Sequence, residues 1–102
     1  MHTTELYFEA HITIEPVFGE ALELAETIAS RRRFRIADLL MLKRAADTPE
    51  RSQYDTFMTG RGTDYADLFI RTKDCVEALE LCGFKVWRYK IENTLLDVRL
   101  DR

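Results

Sequence analysis

A chain of 102 residues is one domain, residues 1–102, near the commonest domain size and able to bury a core without staples. Its 46% hydrophobic and 32% charged residues, with four glycines and two prolines, exclude extended disorder. A formal net charge of −3 excludes a global basic field, so duplex nucleic acid is not an expected partner and any nucleic-acid binding needs a local patch.

No apolar run approaches the roughly 20 residues of a membrane span, so no membrane contact is expected. The opening "MHTTELYFEA" has no basic-then-apolar signal layout, and a cytoplasmic protein is expected. Cys75 and Cys82 fall in one predicted helix, where a rise of about 1.5 Å per residue separates their Cα atoms by roughly 10 Å. That is too far for a disulfide within the chain, and both read as reduced core thiols. With no Cys-x-x-Cys and no paired-histidine spacing, neither a metal nor another cofactor is expected.

"YFEAHITIE", residues 7–15, alternates as a strand, with Tyr7, Glu9, His11, Thr13 and Glu15 on one side and Phe8, Ala10, Ile12 and Ile14 on the other. After Pro16, the positions Ala21, Leu22, Ala25, Ile28 and Ala29 follow helical spacing. Glu20, Glu23 and Glu26 crowd the early turns and Arg31, Arg32 and Arg33 the last, as the helix dipole favours. The run "RRRFR" reads as a solvated helix end rather than a nucleic-acid patch. "FRIADLLMLKR", 34–44, is a second strand, apolar on both parities, which is the pattern of a strand covered on both faces.

"AADTPERSQ", 45–53, has loop composition. "YDTFMTG" is a short strand ending at Gly60-Arg61-Gly62, whose glycines turn the chain into a helix that Thr63 or Asp64 can cap. Tyr65, Leu68, Phe69, Thr72, Val76, Leu79 and Cys82 mark that helix, and Gly83 ends it. "FKVWRYKIE" is the last main strand, with Trp87, Tyr89 and Ile91 against Val86, Arg88, Lys90 and Glu92. "NTLLDVRLDR" alternates again at Leu96, Val98 and Leu100 and is a candidate fifth short strand after a turn at Asn93-Thr94.

The predicted order, β-α-β-β-α-β, is that of a ferredoxin-like α+β sandwich with two helices on one face of an antiparallel sheet. Right-handed crossovers place the first and third strands centrally and the last strand beside the first. Phe8, Ala10, Ile12 and Ile14 should then face the helices together with Trp87, Tyr89 and Ile91. The open face should carry Glu9, His11 and Thr13, flanked by Arg88, Lys90 and Glu92. Glu9 with Arg88, or His11 with Lys90, can form cross-strand pairs there.

Histidine titrates where proton transfer at neutral pH needs it. Thr13 projects from the same face as His11, Arg88 and Lys90 can offset phosphate charge, and Arg61 in "TGRG" can approach from another side. The stretch "AHITIE" resembles the His-x-Thr strand motif of the two-histidine phosphoesterases, which include RNA cyclic phosphodiesterases and relatives acting on nucleotide 2′,3′- or 2′,5′-linkages. The resemblance implies His11 as acid/base group and Thr13 as phosphate binder. It spans those residues alone, and the family places two such motifs on two related halves of a longer chain. Here a symmetric dimer would be needed to bring two copies of His11 together.

Two functional classes follow. In the first, the open face binds or hydrolyses a phosphate-bearing small molecule or nucleotide, with His11 and Thr13 catalytic and Glu9, Arg61, Arg88 and Lys90 as ligand-binding residues. In the second, the protein is a non-enzymatic homo-oligomeric module, and the same charges form a structural ion-pair network. A homodimer is compatible with both. An acylphosphatase-type site is excluded because "EPVFGE", the loop after the first strand, is acidic and lacks an arginine.

Overall fold

The computed structural model describes residues 2–37 and 55–99. Its elements run β1 (His2–Ile14), α1 (Gly19–Ser30), β2 (Phe34–Ile36), β3 (Thr56–Gly62), α2 (Tyr65–Leu81) and β4 (Val86–Arg99). The fold is α+β: an open four-stranded sheet of order β2-β3-β1-β4, antiparallel throughout, with two helices, consistent with a ferredoxin-like class. The loop expected at 45–53 and most of the expected second strand, beyond Ile36, lie outside the described residues.

Period-two alternation places Ala10, Ile12 and Ile14 of β1 beside Phe34 and Ile36 of β2 and Met58 of β3, all buried. Leu22, Ala25, Ile28 and Ala29 of α1 and Leu68, Cys75, Val76 and Leu79 of α2 complete one core with them. Each large side chain fully removed from water there contributes roughly 1.5–3 kcal/mol. Both buried threonines are satisfied. Thr56 Oγ1 accepts the Val17 N–H at 3.2 Å, tying the exit of β1 to β3, and the Thr72 hydroxyl donates to the Leu68 carbonyl at 2.7 Å.

Helix ends follow their local chemistry. Asp64 caps α2 by accepting the Asp67 N–H at 3.1 Å. At the other end Gly83 takes a left-handed φ of 90°, with Phe84 N–H on the Leu79 carbonyl and Gly83 N–H on that of Glu80. That pair of bonds is the Schellman arrangement, as the glycine suggests. The arginines expected in the last turn of α1 lie just beyond it, because the helix stops at Ser30. Arg32 still serves the helix end, donating Nη1 to the Ile28 carbonyl at 3.1 Å and Nε to Asp74 at 2.8 Å.

Three expectations change. The tail is no separate strand, because β4 runs unbroken to Arg99 and pairs with β1 back to His2, with Asn93 opposite Phe8 and Thr94 opposite Tyr7. A continuous ladder satisfies the backbone that a turn would have interrupted. Second, Trp87 does not join the core. The β1–β4 register shifts between Thr13 and Ile14, so Arg88 opposes Thr13 while Val86 opposes Ile14 and packs against the core instead of sharing the outward parity of Arg88; Trp87 is the extra residue of a bulge, 54% exposed. Tyr89 and Ile91 keep the core-side parity opposite Ile12 and Ala10, though the outer position of β4 leaves Tyr89 partly exposed beneath Lys73, whose Nζ donates to its hydroxyl at 3.3 Å. Third, Cys82 is exposed at the end of α2, and Cys75 alone is a core thiol.

Gly60 lies within β3 rather than in a turn, opposite Phe34 and Ala10. A Cβ there would sit 2.8 Å from the fully buried Phe34 ring. Gly60→Ala is therefore expected to destabilise the fold by about 1–3 kcal/mol in urea unfolding, the usual cost of overpacking; an unchanged midpoint would disprove the close approach.

Burial pushes the Cys75 thiol up to about 11 from its ordinary 9.0. Between those values the unfolded chain loses a proton that the folded chain retains, so stability falls as pH rises through that window. Near neutral pH a thiol reagent should label Cys82 rapidly and Cys75 only on unfolding. Equal labelling rates in the folded protein would contradict the packing.

Candidate functional site

The alternation that fills the core sends every other side chain to the uncovered face. Register then sorts those side chains into rows. Glu9 lies between Arg61 of β3 and Glu92 of β4; His11 between Thr59 and Lys90; Thr13 between Phe57 and Arg88. Arg35 of β2 extends the His11 row beyond Thr59. The expected pairing of His11 with Lys90 across strands is therefore present in the register. Arg88 falls opposite Thr13 instead of Glu9, two rows along the same face, and Glu9 faces Glu92.

Glu9 is bonded on both oxygens. Oε1 lies 3.1 Å from His11 Nε2, and Oε2 accepts from Arg61 Nε at 3.0 Å. Arg61 thus reaches the sheet face, as a strand residue rather than a turn residue, and its guanidinium also covers the Tyr7 ring at 5.6 Å. On the other side of the imidazole, His11 Nδ1 lies 3.2 Å from Thr59 Oγ1. In the tautomer whose Nε2 proton faces the carboxylate, Nδ1 is an acceptor and the Thr59 hydroxyl donates to it. Hydroxyl, imidazole, carboxylate and guanidinium form one chain across the sheet. Both His11 and Glu9 are about three-quarters buried.

Lys90 pairs with Glu92 along its own strand at 2.5 Å. The hydrogen bond from Lys90, and then its charge, hold the Glu92 carboxyl below its ordinary range. This pair is solvent-exposed and contributes little to stability.

The Glu9–His11–Thr59 chain is a low wall between two depressions. The first, about 500 Å3, holds His11, Thr13, Arg88 and Lys90 with Asp55, Phe57 and Trp87. The second, about 600 Å3, holds Glu9, Thr59 and Arg61 with Arg33, Arg35 and Gly60. The six residues singled out from the sequence are thus divided between two neighbouring concavities. Phe57, Thr59 and Arg35 were not singled out from the sequence, although each alternates outward from a buried neighbour and that period would have found them. It would not have found Trp87, because only the bulge brings it to this side, where its exposed ring joins Phe57 beside Arg88 and Lys90.

Exposed aromatic rings offer stacking area, and Arg88 and Lys90 offer charge-assisted hydrogen bonds to an anion. Among the described residues no group of three or more histidine, cysteine or acidic side chains is arranged to hold a metal ion. Nor is any helix among them long and apolar enough to cross a membrane. Compared with protein-family models and with curated proteins, the chain matches none.

The bulge makes a direct optical prediction, because Trp87 is the single tryptophan in the chain. Its emission should be that of a hydrated indole and should be quenched by acrylamide in the folded protein nearly as well as after unfolding. A blue-shifted, protected emission would mean that Trp87 faces the helices.

Proposed function

We propose that the first depression binds a nucleotide-like ligand, one carrying a phosphate group and an aromatic ring. Arg88 and Lys90 take the phosphate oxygens, Trp87 and Phe57 take the ring, and Thr13 donates a hydrogen bond. The observation that carries this reading is the meeting of two exposed aromatic side chains, two cations, His11 and Thr13 in one concavity. The β-α-β-β-α-β ferredoxin-like assignment belongs to the same reading: β1 occupies a central position, so its outward residues sit mid-face. If the ligand is a phosphodiester, His11 is the proton-transfer group, as the His-x-Thr resemblance implies. Glu9 would orient its ring and stabilise the charged imidazole.

A second reading has its own support. Both His11 ring nitrogens already have protein partners, and Lys90 has Glu92. In a non-enzymatic homo-oligomeric module those contacts are the purpose of the cluster, and the face needs no substrate.

Titrating mono-, di- and cyclic nucleotides while following Trp87 fluorescence and Tm separates the two. Ligand binding predicts saturable quenching with a raised Tm, and an Arg88→Ala/Lys90→Ala variant that binds about tenfold or more weakly, as loss of about 1.4 kcal/mol or more would give. Catalysis adds hydrolysis of a cyclic nucleotide that His11→Ala abolishes at nearly unchanged Tm. If no nucleotide quenches Trp87 or raises Tm, and His11→Ala instead lowers stability, the module reading stands and the ligand reading falls.

A further inference from the structure

The second depression has a construction that the nucleotide reading does not use. It is lined by three arginines, Arg33, Arg35 and Arg61, against one carboxylate, Glu9. A concavity of net positive charge in a chain of net charge −3 is a local exception to the global field. The run "RRRFR" supplies two of the three. Phe34, between Arg33 and Arg35, turns into the core and is buried. Arg35 therefore alternates to the opposite face of β2, and Arg33 lies in the turn just before the strand.

Arg33 is the one non-glycine residue among the described residues with a left-handed backbone, φ 59°. For an L-residue with a Cβ that conformation costs roughly 1–2 kcal/mol, and glycine is the usual occupant. Here an arginine takes the position, in the turn that leads from α1 into β2. Its recorded ion pair, to Asp67 at 3.9 Å, joins two largely exposed groups and is too weak to explain the choice.

A part-buried arginine ties two of the three together. From α2, Arg71 reaches beneath the sheet edge, Nη1 donating to the Arg32 and Arg33 carbonyls at 3.3 and 3.2 Å, and Nη2 to the Arg61 carbonyl at 2.5 Å. Its guanidinium lies 5.6 Å from the centre of the Phe34 ring. One side chain therefore fixes the backbone at both Arg33 and Arg61, although these belong to different edges of the depression. Burial and then the charge of Arg33 both disfavour the charged form of Arg71. Gly62 leaves it room, since a Cβ there would approach Nη2 to 3.2 Å.

We propose that this concavity is a second anion site, separate from the first depression, that takes a phosphate-class oxyanion on the guanidinium forks of Arg33, Arg35 and Arg61, with Arg71 as positioning residue. Guanidinium groups suit such an oxyanion because each presents paired donors at the spacing of two phosphate oxygens. Thr59 adds a polar wall, and through His11 it links this site to the first. The proposal requires none of Trp87, Arg88 or Lys90.

The test is a pyrophosphate titration followed by amide nitrogen–proton spectra, against sodium chloride at matched ionic strength. Saturable shifts should concentrate at Arg33, Arg35, Thr59, Gly60 and Arg61. Arg33→Gly keeps the left-handed backbone and removes the fork; it and Arg35→Gln should each retain Tm and weaken binding by about tenfold or more. Arg71→Lys should recover Tm relative to Arg71→Ala yet leave affinity low, because a point charge cannot hold the two edges together. The Arg88→Ala/Lys90→Ala variant should bind pyrophosphate here as the wild type does, whichever way the nucleotide titration falls. Nucleoside monophosphates shifting the same amides would identify an organic phosphate as the source, and free phosphate alone would identify the inorganic ion. Shifts that track sodium chloride, or wild-type affinity in Arg33→Gly and Arg35→Gln, would overturn the proposal.

Discussion

Everything on both faces of the sheet depends on β1 being paired along both edges. Its ladder with β3 runs from Phe8 to Ile14, and its ladder with β4 from His2 to Ile14. A strand held on two sides cannot slip by one residue without sending Ala10, Ile12 and Ile14 into water and Glu9, His11 and Thr13 into the core. The hydrophobic side thus fixes the position of the polar side. His11 needs no special device to stand between Thr59 and Lys90; it is there because Ile12 is buried beside Met58.

That coupling explains why some of the site was legible from the chain. Period two on "YFEAHITIE" predicts which residues are outward, and a central first strand predicts neighbours on both sides. Glu9, His11, Thr13, Arg88 and Lys90 were placed on one face by those two facts alone. The partner of Glu9 was not legible. Choosing Arg61 over Arg88 requires the register, and register is set by where the ladders begin and by the bulge at Trp87. The same bulge reversed the expectation for Trp87, whose parity with Tyr89 and Ile91 put it in the core on paper. Arg33 was hidden for a different reason. Three consecutive arginines at a helix end are satisfied by the dipole argument, so nothing in the pattern separates the one that turns toward the sheet.

The polar chain across the open face also has a direction. In the tautomer with the imidazole proton on Nε2, Arg61 and His11 both donate to Glu9, and Nδ1 in turn accepts the Thr59 hydroxyl. A carboxylate with two donors is well satisfied, so the chain is anchored at Glu9 and adjustable at Thr59. His11 lines the first depression while its two partners, Glu9 and Thr59, line the second, so the imidazole connects the two through them.

Among the described residues, departures from local rules fall on both layers. Helix α2 has an aspartate cap, a Schellman end and a satisfied buried threonine, but α1 begins at a left-handed Gly19 with no side-chain cap bond from Phe18, and the buried Arg71 Nε of α2 has no partner. In the sheet and the turn that enters it lie the bulge at Trp87, the left-handed Arg33 and the glycine that admits the Phe34 ring. Trp87 rims the first depression, and Arg33 and Gly60 line the second. A sequence under selection for the fold alone would gain by replacing Arg33 with glycine and by closing the ladder at Trp87. The bulge at Trp87 and the left-handed Arg33 thus fall where the open face is concave, while the close approach of Gly60 to Phe34 belongs to the core.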